Sequence, residues 1–255
     1  NKMEDNNVKK GGISVETEHI FPIIKKWLYS EKDIFLREIV SNASDAVTKL
    51  KRLESLGIRE ATDDNYRITV TLDSDAGTLT VSDNGIGMTE EELDKYICSI
   101  ALSGAVDFIQ KYESESSEGA KNGIIGHFGL GFYSAFMVAE KITVTSKAYG
   151  AEKATVWEST GVDGYTVREG ELDGHGTEIV LSLLPDTDDE KYSEFLEQYK
   201  IRSLVKKYSD YIRYPIKMLV GHSHLKEGTE DEYETHYQIE TLNSMIPIWN
   251  KSKAE

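Results

Sequence analysis

Residues 35–47 read FLREIVSNASDAV. The pattern is that of an amphipathic helix, yet Glu38, Asn42 and Asp45 recur on one side of it. Spacings of i, i+4 and i+7 put the three within roughly 60° of arc. An apolar stripe of Phe35, Ile39, Ala43, Ala46, Leu50 and Leu53 lies immediately beside them. Arg37, Ser41, Ser44 and Lys51 fall on the far side, where solvent is expected. The polar three therefore sit where the helix meets the rest of the protein, and they need partners there, because a buried acid or amide left unpaired is costly. Asn and Asp offer oxygen ligands suited to a hard cation such as Mg²⁺, and a Glu one turn earlier can orient a water as a base. Polar residues on an ordinary helix are the competing reading.

Working outward, the helix is expected over about 32–56, ending at Gly57, with an earlier one over Glu18–Tyr29. YRITVTLDSDAGTLTVSD (66–83) alternates twice around a turn, so it predicts a hairpin with Tyr66, Ile68, Val70, Leu72, Leu79 and Val81 on one face. Next comes Asp83-Asn84-Gly85-Ile86-Gly87, and then Thr89 with Glu92 at capping-box spacing. An Asp ending a strand and followed by two glycines lets the backbone approach a flat ligand while the carboxylate accepts a hydrogen bond. An ordinary turn would explain the same residues.

AVDFIQKYESESSEGAKNG (105–123) turns rich in Ser, Glu and Gly and reads as a flexible loop. The run Gly126-His127-Phe128-Gly129-Leu130-Gly131 leads into a helix expected over Phe132–Val138. Successive N–H groups at such a helix start can cradle an anion. No Walker A loop occurs, and Ser134 spoils a dinucleotide fingerprint. Strands are expected in KITVTSK, KATVWES, GYTVREG and TEIVLSL, then a helix over 189–208 and a strand in YPIKMLV. Gly174-His175-Gly176-Thr177 precedes the fourth of these strands, and the Thr hydroxyl could serve a ligand or a neighbouring strand. Meander-like strands mixed with helices, without βαβ alternation, favour α+β with a mostly antiparallel sheet.

The 255 residues are 39% hydrophobic, enough for one large domain or a domain with an appendage. With 45 acidic and 29 basic residues the net charge is −16, which opposes unspecific binding to nucleic acid or an anionic membrane. The lone cysteine, Cys98, rules out an internal disulfide and suits a reducing compartment. No apolar run spans a bilayer, and the N-terminus is polar rather than signal-like, so a cytoplasmic protein is expected. His222 and His224 in HSHLK have spacing that could hold a metal, but no third ligand is evident and the stretch reads as a solvated loop.

A Glu/Asn helix, Asp-x-Gly-x-Gly, a loose segment, a glycine-rich loop and Gly-x-Gly-Thr, in that order, resemble the superfamily of gyrase, heat-shock protein 90, histidine kinases and MutL. In detail FLREIVSNASDA, DNGIGMTEEEL, IGHFGLGFYSAFMVA and YPIKMLV resemble the N-terminal ATP-binding domain of heat-shock protein 90 chaperones over about residues 16–220, and the short linker that follows is similar to that of bacterial high-temperature protein G and organellar forms. The resemblance implies a two-layer α/β sandwich (the Bergerat fold) whose mostly antiparallel sheet is covered by helices on one face. It also implies a lid over about 103–125 and a linker with a truncated start of the middle segment over 221–255; by composition residues 1–15 read as mobile, and the polar stretch from Gly221 onward reads as a strand and linker leading out of the domain. Carried over by position, Glu38 would activate the attacking water and Asn42 would ligate Mg²⁺ bridging the ATP phosphates. Asp83 would accept from the adenine amino group, with Gly87 and Thr177 supporting it. Asp45, Asn84, Met88 and Phe132 would lie near the nucleoside. Ser103 and Gly104, at the start of the lid, would contact ATP, while Gly126, Phe128, Gly129, Leu130, Gly131 and Phe132 would offer the phosphate loop.

Leu102, Ala105 and His127 depart from the family's usual residues, which bears on lid contacts and turnover. The implied partners are ADP or ATP and, in a full-length homodimer, unfolded or partly folded client proteins, with no nucleic acid and no membrane. The isolated piece would be monomeric, binding nucleotide but hydrolysing ATP slowly. Two rivals stay open. A histidine-kinase-type transferase would need a phosphoacceptor on a preceding dimerising helix, a context His19 lacks, and in a nucleotide-gated binding module Glu38 would do no chemistry.

Overall fold

A computed structural model describes residues 8–11, 32–58, 65–97, 132–161 and 164–247. The helix expected over 18–29, Cys98, the lid and the glycine-rich loop through Gly131 lie outside the described residues.

The helix quoted above forms as α1, Ile34–Ser55, and Gly57 with φ +70 follows its end. Its buried arc is wider than the stripe read from sequence. Ile34, Leu36, Val40 and Val47 are buried together with Phe35, Ile39, Ala43 and Leu50, because α1 is wedged between the sheet and other helices. Phe35 meets Phe195 edge-on with ring centroids 5.1 Å apart.

The hairpin forms as β2 (Ile68–Asp73) and β3 (Thr78–Asp83), with Val70 opposite Val81 and Ile68 opposite Asp83. Side chains alternate across a strand, so β3 turns Leu79, Val81 and Asp83 to one face. The first two are core residues and the third is an acid in line with them. The capping box then opens α2, Glu90–Ile97. The Thr89 hydroxyl accepts the Glu92 N–H at 3.2 Å and the Glu92 carboxylate accepts the Thr89 N–H at 3.1 Å.

Phe132–Met137 makes a 3₁₀ turn that leads into β4 (Ala139–Lys147), β5 (Ala154–Ser159), β6 (Tyr165–Gly170) and β7 (Gly176–Leu183). The single helix expected over 189–208 is two pieces, a 3₁₀ turn at Tyr192–Leu196 and α3 at Gln198–Tyr208. Between them Glu197 is extended, so the turn can lower Phe195 into the core beside Phe35.

The chain then forms β8 (Ile216–Leu225) and β9 (Tyr233–Thr241), an antiparallel pair that continues the sheet past the boundary expected at residue 220. At the opposite edge, residues 9–11, expected to be mobile, form β1 against β6. There three residues cover the first half of the β6 edge with main-chain pairing. Among the described residues the sheet has nine strands in the order β1-β6-β5-β4-β7-β3-β2-β8-β9, with β2–β8 as the one parallel pair. This is the expected two-layer α/β sandwich with a mostly antiparallel sheet. Among the described residues no helix is long and apolar enough to cross a membrane.

One row across the inner face positions the site. Ser146, Thr177, Asp83, Ile68 and Ile216 are successive register partners on β4, β7, β3, β2 and β8. The row is polar where α1 and α2 leave a gap and apolar where the core closes.

Candidate functional site

That gap is a cavity of about 280 Å³. Its walls are apolar, from Ile39 and Ala43 on α1, Val81 and Ile179 on the sheet, and Ile86 and Met88 on the loop after β3. Its polar groups are Asn42, Asp45 and Lys49 from α1, Asp83, Thr177, and Glu92 and Tyr96 from α2.

Asp83 forms the floor and opens onto the cavity. Burial pushes its carboxyl up to about 7 from an ordinary 3.8, against the opposing pull of the Gly85 and Thr177 backbone N–H groups. The Gly85 N–H reaches it at 2.8 Å. Behind the floor, the buried Ser146 hydroxyl lies 2.7 Å from the Thr177 hydroxyl and accepts the Met88 N–H at 2.9 Å. A short network thus ties β4, β7 and the loop into one rigid base.

The loop's glycines are needed for contact with the protein itself. A Cβ on Gly85 would lie 2.6 Å from the Ala46 carbonyl carbon, and the neighbouring Ile86 N–H donates to the Ala46 oxygen. Gly87 has φ +68, and a Cβ there would lie 2.0 Å from the Lys147 oxygen. The motif predicts glycines for ligand approach; the structure adds that they let the loop dock between α1 and β4, with Gly87 also lining the cavity. His175 joins the Gly174–Thr177 turn to this loop, its Nδ1 lying 2.6 Å from the Gly85 oxygen.

On the other wall, Asn42 donates through Nδ2 to the Tyr96 hydroxyl at 2.6 Å. Burial raises the Tyr96 phenol, despite the opposing Asn42 hydrogen bond, and the charges of Glu38, Asp83 and Asp45 raise it further. One hydroxyl therefore feels all three acids. Asp45 stands at the exposed rim; desolvation raises its carboxyl against the lowering effect of Lys49.

Glu38 is 8% exposed and paired with Arg37. It sits one turn along α1 from Asn42 and does not line the cavity among the described residues. Asn84 faces elsewhere: its Oδ1 accepts the Arg67 N–H and its Nδ2 donates to the Asn65 oxygen. Phe132 is buried behind Tyr96, with ring centroids 5.6 Å apart. The structure therefore gathers Asn42, Asp45, Asp83, Gly87, Met88 and Thr177 on one cavity, with Glu38 and Phe132 adjoining it. Ser103, Gly104, Gly126, Phe128, Gly129, Leu130 and Gly131 lie outside the described residues.

Sequence reasoning missed Tyr96 and Ser146. Ser146 was readable, since Ile142, Val144 and Ser146 alternate inward on β4. Tyr96 was visible only as an aromatic beside Leu93 and Ile97, because its partner Asn42 is 54 residues away.

An acid beneath apolar walls suits a flat ring whose edge carries a hydrogen-bond donor. This architecture fits the comparisons with known proteins. The family model described as "Histidine kinase-, DNA gyrase B-, and HSP90-like ATPase" matches residues 30–167, more than half of the chain. The model described as "Hsp90 protein" matches residues 194–255. Named "Chaperone protein HtpG", the Clostridium perfringens relative is 50% identical over 250 residues, 97% of this chain and 39% of the relative. The protein of that name from Halalkalibacterium halodurans is 52% identical over 242 residues, 94% of this chain and 38% of the relative. The Bacillus subtilis one is 47% identical over 248 residues, 96% and 39% respectively. The chain belongs to the Hsp90 family and carries its ATPase-type domain. It spans about two-fifths of the length of these relatives.

Proposed function

We propose that this chain is the ATP-binding and ATP-hydrolysing part of an Hsp90-type chaperone. In the longer protein, Mg²⁺-dependent hydrolysis would drive a dimeric clamp on unfolded or partly folded client proteins, in the cytoplasm. The observation that supports this most is the convergence of Asn42, Asp45, Asp83, Gly87, Met88 and Thr177, from three separated stretches, on one cavity beside the buried Glu38.

In this reading the adenine ring lies between the apolar walls and its amino group donates to Asp83. The Ser146–Thr177 network holds that acceptor in place, so little reorganisation is needed on binding. Asn84 and Phe132 belong to the site indirectly, through the strand end and through Tyr96. The donor set fits Mg²⁺, which keeps several waters and takes one or two protein oxygens alongside phosphates. Asn42 would be that protein ligand, since its Nδ2 is engaged by Tyr96 and its Oδ1 is the acceptor left for a cation. Bound there, Mg²⁺ would neutralise phosphate charge. Glu38 would orient a water and take its proton as the water oxygen bonds to the γ-phosphorus and ADP leaves. Arg37 beside it would hold the carboxylate's direction. Glu38 lies on the same helix face as Asn42, so base and cation ligand are spaced by one rigid turn.

The test compares Glu38→Ala with wild type, measuring ATP binding by calorimetry and phosphate release in the full-length protein. Affinity is expected to stay within about threefold while release falls at least about 100-fold, the scale of a lost general base. Equal release rates would remove Glu38 from the chemistry.

A further inference from the structure

His222 and His224, read from sequence as part of a solvated loop, lie on β8 and face β9. The register sets His224 opposite Glu234 and His222 opposite His236, so three imidazoles and a carboxylate form a two-by-two grid on one face of the ladder. The third ligand that spacing along β8 did not supply comes from the returning strand. The His224 and His236 rings stack with centroids 4.4 Å apart and planes 12° from parallel. Both aim Nε2 at the same atom, Oε1 of Glu234, at 3.1 and 3.4 Å.

All three ligand atoms lie within 4.8 Å of one another. Metal–ligand bonds of about 2.0–2.1 Å in a tetrahedron hold neighbouring ligand atoms about 3.4 Å apart. Two of the three edges already have about that length. Closing the third would tilt two exposed rings out of their stack. His222 is occupied otherwise, its Nε2 lying 2.6 Å from Glu240, which also accepts from Arg202 and Gln238.

We propose that His224, Glu234 and His236 form a surface site for a divalent transition-metal ion of the Zn²⁺ class, with water as fourth ligand. Two imidazoles and one carboxylate select such an ion over Mg²⁺ or Ca²⁺, which prefer all-oxygen sets. Glu227, Glu230, Asp231 and Glu232 in the adjoining turn add negative charge that draws cations to the spot. The ion would clamp the far end of β8 to β9, beyond the reach of α3. This site is separate from the Mg²⁺ ligand assigned to Asn42.

The experiment titrates the metal-free 255-residue chain with Zn²⁺ by calorimetry, in the presence of excess Mg²⁺, and follows hydrogen exchange of the β8–β9 amides. One saturable Zn²⁺ per chain and slower exchange in the hairpin are expected. His224→Ala and His236→Ala should each weaken binding at least about tenfold, the scale on which even outer partners of a metal site act. His222→Ala should stay within about threefold, as a surface change away from the ligands does. No saturable binding, or binding that survives the double His224→Ala/His236→Ala variant, overturns the site. Equal losses for His222→Ala and His236→Ala overturn the choice of ligands.

Discussion

Asp83 at the centre of the sheet and Glu240 near its edge stand on the same face, and their carboxyls move in opposite directions. Burial lifts Asp83 to about 7. Glu240 falls to about 2 because Gln238, His222 and Arg202 all give it hydrogen bonds. The chemical group and the sheet are the same; what differs is the cover. Under α1 the acid has lost water and gained only two backbone donors, so it remains short of partners on the cavity side. At the hairpin, which α3 reaches through Arg202, the chain's own side chains have converged on the acid. A central acid short of donors is a place for a ligand, whereas an edge acid already rich in them is settled.

The largest expected effect breaks the central half of this contrast. Asp83→Asn removes the acceptor proposed for the adenine amino group and presents a donor in part of its place. Adenine-nucleotide affinity measured by calorimetry should fall by about 100-fold, or about 2.7 kcal/mol. Unchanged affinity would take the adenine edge away from this floor. The same substitution tests the burial. Unfolded Asp83 loses its proton near 3.8 and the folded one near 7. Between those values the native state holds a proton that the unfolded state does not. Its contribution to stability is therefore full below about pH 4 and is lost as the pH rises through about 7. The Tm of Asp83→Asn relative to wild type should accordingly rise between pH 5 and pH 8. Nucleotide binding near pH 7 should also release part of a proton, seen as a dependence of the binding heat on the buffer's ionisation heat.

Next in size is Ser146→Ala, which sharpens the contrast by loosening the floor without touching the acid. The Met88 N–H and the Thr177 hydroxyl lose a buried partner. A cost of about 1–2 kcal/mol follows, or a Tm lower by about 2–8 °C for a chain of this size. A Tm equal to wild type would mean that water replaces the hydroxyl.

The smallest effect is at the edge. Glu240→Gln, read by the same thermal scan, should shift Tm by less than about 2 °C, because exposed ion pairs contribute little. A larger shift would show that the hairpin is held by its charges rather than by its ladder.

Much of the site was legible in sequence because its parts are short and local. The face of Glu38, Asn42 and Asp45 follows from helical period, Asp83 from its place at the end of an alternating strand, and the Thr89–Glu92 box from spacing alone. The split of the helix at Glu197 was not legible, since it exists to seat Phe195 against a residue 160 positions earlier, Phe35. Nor was the role of Gly85 and Gly87, whose crowding comes from Ala46 and Lys147. Asn84 looked like part of a ligand motif, but a neighbouring strand end claims its amide.

Periodicity was enough to establish most of the strands, the main helix and the inward place of Asp83, because each rests on interactions a few residues apart, while the family likeness rests on a resemblance of whole motifs. Partnership across the fold was decided only in three dimensions. Tyr96 meets Asn42, Ser146 meets Thr177, and His236 meets His224 because register and packing bring distant residues to one point. Burial then sets which of two similar carboxylates keeps its proton, since the cost of desolvating a charge depends on what covers it and not on its neighbours in the chain.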